Sequence, residues 1–157
     1  MALDNANPEL TTGSATRRAQ TEEMGRDAIL VVARIGLAVL MFWHVKVTWD
    51  YLDGVGGTVR AFDAMGIPFP ELSARFNLAL ESVGALALLL GVGVRTVGAL
   101  MALNMGGAWY YVHTSALYSM DGNGPECVLA IGLLSLMFVV TGPGRAALES
   151  VPGRRRS

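Results

Sequence analysis

The sequence is almost free of cysteine, since Cys127 is the only one in 157 residues. A single thiol excludes an intrachain disulfide, a CxxC redox pair and a zinc site built from several thiolates. The only two histidines, His44 and His113, are too few and too far apart to form a recognised metal-binding motif. No metal site is therefore predicted.

Charged residues are scarce in the middle of the chain. Of the 12 Lys and Arg and the 13 Asp and Glu, 12 lie within residues 28–142, and the other 13 lie in the much shorter flanking segments. Soluble domains carry about one charged residue in four, whereas this chain has 16% charged and 52% hydrophobic residues. This distribution indicates a membrane protein. The net charge of -1 gives no sign of nucleic-acid binding.

Four long apolar stretches fill the charge-poor region. They predict membrane-spanning helices over about residues 28–48, 74–94, 96–117 and 123–142. A helix needs about 20 residues to cross the hydrocarbon core. The run over residues 83–94 also lacks the polar stripe that helices of soluble bundles carry. The predicted fold is an all-α membrane protein, with a four-helix transmembrane bundle over residues 28–145 in contact with the lipid bilayer.

The two flanking segments predict the orientation of the bundle. Residues 1–27 are expected to form a disordered cytoplasmic tail, with a helix start near residues 21–27 as one option, and residues 146–157 a basic cytoplasmic tail. With four spans, both termini and the loop between spans two and three share one side of the membrane. That side holds eight of the twelve Lys and Arg residues. The positive-inside rule therefore places both termini in the cytoplasm, in the plasma membrane of a bacterial cell.

The loop between spans one and two is too long for a simple turn. Within residues 58–65, Val59, Phe62 and Met65 fall on one helical stripe, with charged residues opposite. This pattern predicts a short interfacial helix on the outer membrane surface. Span three, in turn, carries Gly98 and Gly106 on a face of small residues that permits close approach of another helix.

Two charges remain inside the predicted spans, Arg34 and Glu81. An ionised side chain in hydrocarbon is costly, so such charges are expected to have partners. Counting from the cytoplasmic ends places Arg34 roughly 9 Å deep and Glu81 roughly 18 Å deep. The favoured intramembrane charge pair is therefore Arg34 with Glu81, and Asn77, one turn before Glu81, can satisfy part of its hydrogen bonding. A structural ion pair and a proton or ligand site are equally open interpretations.

A second polar cluster is expected toward the outer surface. His44 ends the first span, His113 lies near the end of the third and Glu126 begins the fourth, so the three are predicted at similar depth. Histidines in such a position can hydrogen-bond a quinone head group or bind haem. Each histidine alone is better explained by packing, but the three together form a candidate quinone site. The pattern assigns no catalytic residue.

Several segments follow the pattern of one family of membrane proteins. ARIGLAVLMFWHVKV over residues 33–47 is similar to that family's arginine followed by an aromatic–histidine–glycine–lysine ending, with Val45 in place of the glycine. AFDAMGIPFPELSARFN over residues 61–77, the segment 81–96 that begins ES and ends GALALLLGVGVRT, the span-three histidine, NGPE over 123–126 and GPGR over 142–145 follow in the same order. Over about residues 28–148 the sequence therefore resembles the DoxX family of small bacterial membrane proteins with four helices.

The resemblance implies a role in membrane oxidoreductase systems, which in this family include the small subunit of thiosulfate:quinone oxidoreductases. The polar positions of the family are matched by Arg34, His44, Glu81, His113 and Glu126. A quinone-linked or redox-scaffolding subunit is implied, with protein partners or a homo-oligomer, a quinone as cofactor and haem as the weaker option. A non-catalytic assembly or anchoring subunit and a small proton-linked transporter or lipid-handling protein are the alternatives.

Overall fold

The computed structural model describes residues 8–114 and 124–150, with side chains over 16–114 and 124–150. Within these ranges the chain forms helices and no strand. The elements are α1 (Pro8–Leu52), α2 (Gly54–Ala64), α3 (Pro70–Leu90), α4 (Val94–Tyr111), α5 (Glu126–Thr141) and a short 3-10 turn (Leu148–Ser150). The predicted all-α class is confirmed for this part of the chain.

The first helix is much longer than the predicted first span. Its 45 residues extend about 68 Å at 1.5 Å per residue, more than twice the thickness of the hydrocarbon core. Residues 8–27 therefore differ from the predicted disordered segment, whereas residues 1–7 lie outside the described part. The helix is continuous because residues 15–24 consist largely of Ala, Arg, Gln, Glu and Met, which are good helix formers.

A sharp fold-back follows α1 and leads into the short helix predicted in the first loop. Gly57 has no space for a side chain, since a Cβ there would lie 1.3 Å from the carbonyl oxygen of Leu52. The buried Thr58 donates its hydroxyl to the carbonyl of Gly54 at 2.9 Å. Helix α2 thus packs tightly against α1 and α3, and it begins four residues earlier than the predicted residue 58.

The long helices pack in chain order. Helix α1 contacts α3, α3 contacts α4, and α4 packs most extensively on α5. A Cβ on Gly98 of α4 would lie 2.7 Å from the carbonyl oxygen of Ser135 in α5, so glycine is what lets these two backbones approach. The buried core between the helices includes Leu37, Met101 and Phe138.

The outer surface of the bundle is apolar. Large aliphatic side chains are exposed on several helices, including Val32 of α1, Leu103 of α4 and Val140 of α5, each at least 70% accessible. Within the described residues, α1 from residue 16 onward and α3 are long and apolar enough to cross a membrane, and α5 is a shorter apolar helix. Because the apolar windows of α1 and α3 are mostly exposed, they are unlike the core helices of a soluble protein.

The segment after α5 folds back onto the beginning of the bundle. Arg145 donates its Nη1 to Glu23 at 3.1 Å and its backbone N–H to Asp27 at 3.1 Å. Glu149 accepts a hydrogen bond from the backbone N–H of Gly93 at 2.6 Å. Residues 23–34 of α1, the turn over residues 91–93 and the segment 142–150 therefore meet at one end of the bundle, which we name the terminal end.

Candidate functional site

A histidine and a glutamate from two neighbouring helices form a close pair inside the bundle. His44 Nδ1 of α1 lies 2.9 Å from Glu81 Oε2 of α3. The glutamate side chain is 1% exposed, whereas the histidine side chain is 54% exposed. The imidazole therefore connects a fully buried acid to the outer surface of the helices.

Two amides complete the environment of this acid. Asn104 of α4 donates its Nδ2 to Asn77 Oδ1 at 2.9 Å and is also 3.5 Å from Glu81 Oε1. Both carboxylate oxygens of Glu81 thus have a polar neighbour, and each neighbour comes from a different helix. We name His44, Asn77, Glu81 and Asn104 the polar site.

The helical geometry explains why these side chains converge. Asn77 and Glu81 are four residues apart, so they project from one face of α3. The buried core shared by these helices is apolar and includes Met41 of α1 and Met101 and Met105 of α4. A carboxylate in such surroundings is costly unless it is hydrogen-bonded, and hydrogen bonds there are electrostatically stronger than in water.

Arg34 does not form the predicted pair with Glu81. Its guanidinium lies beside Gly91 at the terminal end of the bundle. A Cβ added to Gly91 would lie 2.2 Å from Arg34 Nη1. Helices α1 and α3 are antiparallel, and His44 is level with Glu81. Arg34 lies ten residues before His44 on α1, and Gly91 lies ten residues after Glu81 on the other side of the contact, so Arg34 is level with Gly91. The two charges are therefore separated by roughly 15 Å along the helix axes. The sequence-based depths placed the end of the second span at residue 94, whereas α3 ends at Leu90.

The other two predicted site residues lie toward the opposite end of the molecule. Helix α4 continues for seven residues past Asn104, about 10 Å, before the chain reaches His113. Glu126 opens α5, and its Oε2 is buried with no hydrogen-bond partner in the described part of the chain. The structure thus brings His44, Glu81 and Asn77 together and places His113 and Glu126 nearer the end of the bundle.

Asn104 is the site residue that the sequence-based prediction missed. It stands in a predicted span that carries no Asp, Glu, Lys or Arg. An amide inside such a span is expected to seek a hydrogen-bond partner on another helix, and this was the available signal. The sequence could not show that its side chain turns toward α3, because that depends on the rotation of α4 in the bundle.

The polar site can hold and pass a proton. Nδ1 of His44 is engaged with Glu81, which leaves Nε2 as the ring nitrogen that can serve a ligand. When both ring nitrogens carry hydrogens, Glu81 stabilises the imidazolium and Nε2–H can donate. Among the described residues no group of three or more His, Cys, Asp or Glu is arranged to hold a metal ion.

Comparison with known proteins gives two matches. A family model described as DoxX matches residues 29–114. An uncharacterized protein of Haemophilus influenzae is 32% identical over 131 residues, which cover 82% of this chain and 93% of the relative. No solved structure matches the chain. The segment matched by the family model contains all four residues of the polar site and the buried Arg34.

Proposed function

We propose that this chain, which belongs to the DoxX family of membrane proteins, is a four-span subunit of a membrane redox complex and holds a quinone head group at His44. The observation that carries the proposal is the half-exposed His44 held by the buried Glu81 at 2.9 Å. A single imidazole on the lipid-facing side of a bundle, backed by an acid, suits a ligand that arrives through the membrane.

The proposed topology uses α1, α3, α4 and α5 as the four spans. Exposed aliphatic side chains on these helices, such as Val39, Val83 and Leu133, support lipid contact around the bundle. The surplus of arginine in the terminal segments supports a cytoplasmic location for the terminal end, in a bacterial plasma membrane.

The surface around His44 suits a quinone. Leu40 and Val47, one turn before and one turn after His44, are both exposed and apolar. A quinone ring and its isoprenoid chain can lie along such a surface, while a carbonyl oxygen accepts a hydrogen bond from Nε2–H. Haem held by His44 and His113 is less well supported, because α4 places His113 more than 10 Å beyond the level of Asn104.

The residues of the polar site supply protons rather than electrons in this proposal. A bound quinone would supply redox chemistry that consumes two electrons and two protons. His44 would pass one proton from Nε2 to the carbonyl oxygen it holds, and Glu81 would keep the ring oriented through Nδ1 and stabilise its charged form. The second proton, at the other carbonyl oxygen, would come with the electrons from the partner protein. With one cysteine and two histidines in the sequence, the redox centre is assigned to a partner protein of the complex.

Quinone binding to the purified full-length protein tests the proposal. Trp43 is adjacent to His44 and 67% exposed, so its fluorescence should be quenched by a short-chain quinone titrated into detergent micelles. We expect saturable quenching that His44→Ala weakens at least tenfold, because the variant loses the hydrogen-bond donor. His113→Ala is the matched control and should bind as the wild type does.

The other outcomes identify the competing functions. Equal affinity of His44→Ala and the wild type would overturn the quinone site. Partner proteins that co-purify without any quinone would indicate an assembly or anchoring subunit. Proton uptake into proteoliposomes that is lost in Glu81→Gln, without quinone binding, would indicate a proton-linked transporter.

A further inference from the structure

An open cavity of about 930 Å³ lies at the terminal end of the bundle. Its lining combines arginines with acids, namely Arg26, Arg95 and Arg145 with Glu23, Asp27 and Glu149. Ligand sites commonly occupy clefts of about 300–1,000 Å³. This cavity is separate from the polar site, because Arg34 beside it and His44 are ten residues apart on α1, roughly 15 Å.

A buried guanidinium without a full set of partners lies behind the lining of this cavity. Arg34 is 3% exposed, and its Nε and Nη1 have no hydrogen-bond acceptor in the described part of the chain. The group lies beside Gly91, which also has Ala147 as a close neighbour and which precedes the lining residue Val92. A buried charge of this kind is expected to be neutralised by an opposite charge.

The acids nearest to Arg34 already have other partners. Glu149, the acid that acts on Arg34 electrostatically, accepts a hydrogen bond from the backbone N–H of Gly93 at 2.6 Å. Asp27 accepts from the backbone N–H of Arg145 at 3.1 Å. Glu149 and Asp27 are thus tied to the backbone and Glu23 to the Arg145 side chain, and none of the three is hydrogen-bonded to the Arg34 guanidinium in the described residues.

The lining arginines differ in whether their guanidinium groups already have hydrogen-bond or ion-pair partners. Arg95 donates its Nη1 to the carbonyl oxygens of Val139 and Val140, at the end of α5. Arg145 is paired with Glu23. Arg26 has no ion pair with a described acid within 4.0 Å, and it is exposed. Arg26 and Arg34 therefore bring the positive charge that an anionic ligand can use.

We propose that this cavity binds the phosphate group of a membrane phospholipid. Guanidinium groups are strong hydrogen-bond and charge partners of phosphate oxygens. The exposed Arg26 lines the cavity and can donate to such a group, and the buried Arg34 next to the lining adds a positive charge that has no ion-pair partner among the described residues. The lipid source is favoured over free phosphate by apolar neighbours. Leu30 and Val92 line the cavity, and Ile29 and Val32 of α1 are about 70% exposed beside it, where acyl chains can lie.

Lipid binding to the full-length protein in detergent tests this proposal. Native mass spectrometry and thermal unfolding are measured with phosphatidylglycerol, with diacylglycerol of the same acyl chains, and with inorganic phosphate. We expect phosphatidylglycerol to bind and to raise the melting temperature, since it alone carries both the phosphate and the acyl chains. Diacylglycerol and inorganic phosphate should each bind at least tenfold more weakly.

Two variants and one control locate the site. Arg34→Gln removes the buried guanidinium, and Arg26→Gln alters only an exposed side chain, so the second variant serves if the first fails to fold. Each should weaken phosphatidylglycerol binding by about three- to tenfold, whereas Arg75→Gln, on α3 toward the opposite end, should not change it. The proposal is overturned if diacylglycerol binds as tightly as phosphatidylglycerol, or if Arg26→Gln leaves the affinity unchanged. Equal binding of inorganic phosphate would replace the lipid by the free ion.

Discussion

The two buried charged residues at the α1–α3 contact, Glu81 and Arg34, differ in how many hydrogen-bond partners the bundle gives them. Glu81 is surrounded by His44 and Asn104, whose side chains come from two other helices. Arg34, which is also buried, has two donor atoms without an acceptor among the described residues and interacts electrostatically with Glu149 of the segment after α5. The degree of burial therefore does not show which of the two charged side chains has hydrogen-bond partners within the bundle.

The comparison separates two ways of keeping a charge in an apolar bundle. At the polar site the partners are other spans, so the same contacts that hold the charge also fix the register of α1 and α3. At the terminal end the space for the guanidinium comes from Gly91 and from the backbone near Ala147. The first arrangement is complete within the helices, whereas the second involves the segment after α5 and leaves the charge available to the phosphate group that we propose.

The largest expected effect comes from filling the space beside Arg34. Gly91 has φ +70°, and a Cβ there would lie 2.2 Å from Arg34 Nη1 and 2.8 Å from the Cα of Ala147. Gly91→Ala should lower the free energy of unfolding by about 3 kcal/mol, since left-handed backbone strain adds to overpacking. Unfolding in mixed SDS micelles measures the loss.

Gly93→Ala is the matched control for this effect. Gly93 has φ +61°, but no atom of the described residues lies within 4 Å of the added Cβ, so only backbone strain of about 1 kcal/mol is expected. Equal losses in the two variants would show that the crowding around Arg34 has no energetic consequence.

The next effect is the coupling between His44 and Glu81. Glu81→Ala should cost about 1–3 kcal/mol, because His44 loses its acceptor and the amide of Asn104 loses a neighbour. A double-mutant cycle with His44→Ala should give a coupling free energy of about 1 kcal/mol. The same cycle between Arg34→Ala and Glu81→Ala should give a value within about 0.5 kcal/mol of zero, since the two lie roughly 15 Å apart.

The two double-mutant cycles can also show that Arg34, and not His44, is the partner of Glu81. A large Arg34–Glu81 coupling together with none for His44–Glu81 would restore the ion pair predicted from the sequence. Both cycles use the same Glu81→Ala protein, so a general loss of stability in that variant cancels between them.

A smaller effect is expected at the amide of Asn104. Asn104→Ala removes the hydrogen bonds to Asn77 and Glu81, and interhelical hydrogen bonds in membranes contribute about 0.6 kcal/mol on average. A loss of about 0.5–1.5 kcal/mol is expected in SDS unfolding. Leu103→Ala, at the neighbouring exposed position, is the control and should change stability less. A neutral Asn104→Ala would mean that α4 is not held to α3 by the polar site.

The sequence predicts the helices well because each depends on a local pattern. Apolar runs indicate α3 and α5, and the stripe of Val59, Phe62 and Met65 indicates the short helix α2. The helix over residues 8–20 was not predicted, because polarity was taken as a sign of disorder, whereas a helix near residues 21–27 was given as one option. The small-residue face of the third span correctly indicates the close approach at Gly98, whereas a Cβ on Gly106 of the same face would meet no described atom within 4 Å.

The partners of the buried charges could not be predicted in the same way. Depth counted from span ends carries an error of several residues, and four residues are one turn, or about 5 Å. The true register of α1 against α3 is set by the fold-back at Gly57, which no apolar pattern reports. The polar site therefore contains the predicted residues Glu81, Asn77 and His44, but with His44 in the place given to Arg34.

The smallest change in the free energy of unfolding is expected at an exposed ion pair on α3. This pair is the solvent-exposed case against which the two buried charges can be compared. Arg75 Nη2 lies 2.9 Å from Glu71 Oε1, and both side chains are more than 60% exposed. Pairs of this kind in water contribute about 0.3–0.5 kcal/mol and are screened by salt. Arg75→Gln should therefore change the free energy of unfolding by less than about 0.5 kcal/mol, and 0.5 M salt should remove even that difference. A loss of several kcal/mol that persists in high salt would place this end of α3 inside the hydrocarbon, because only there is an ion pair neither hydrated nor screened.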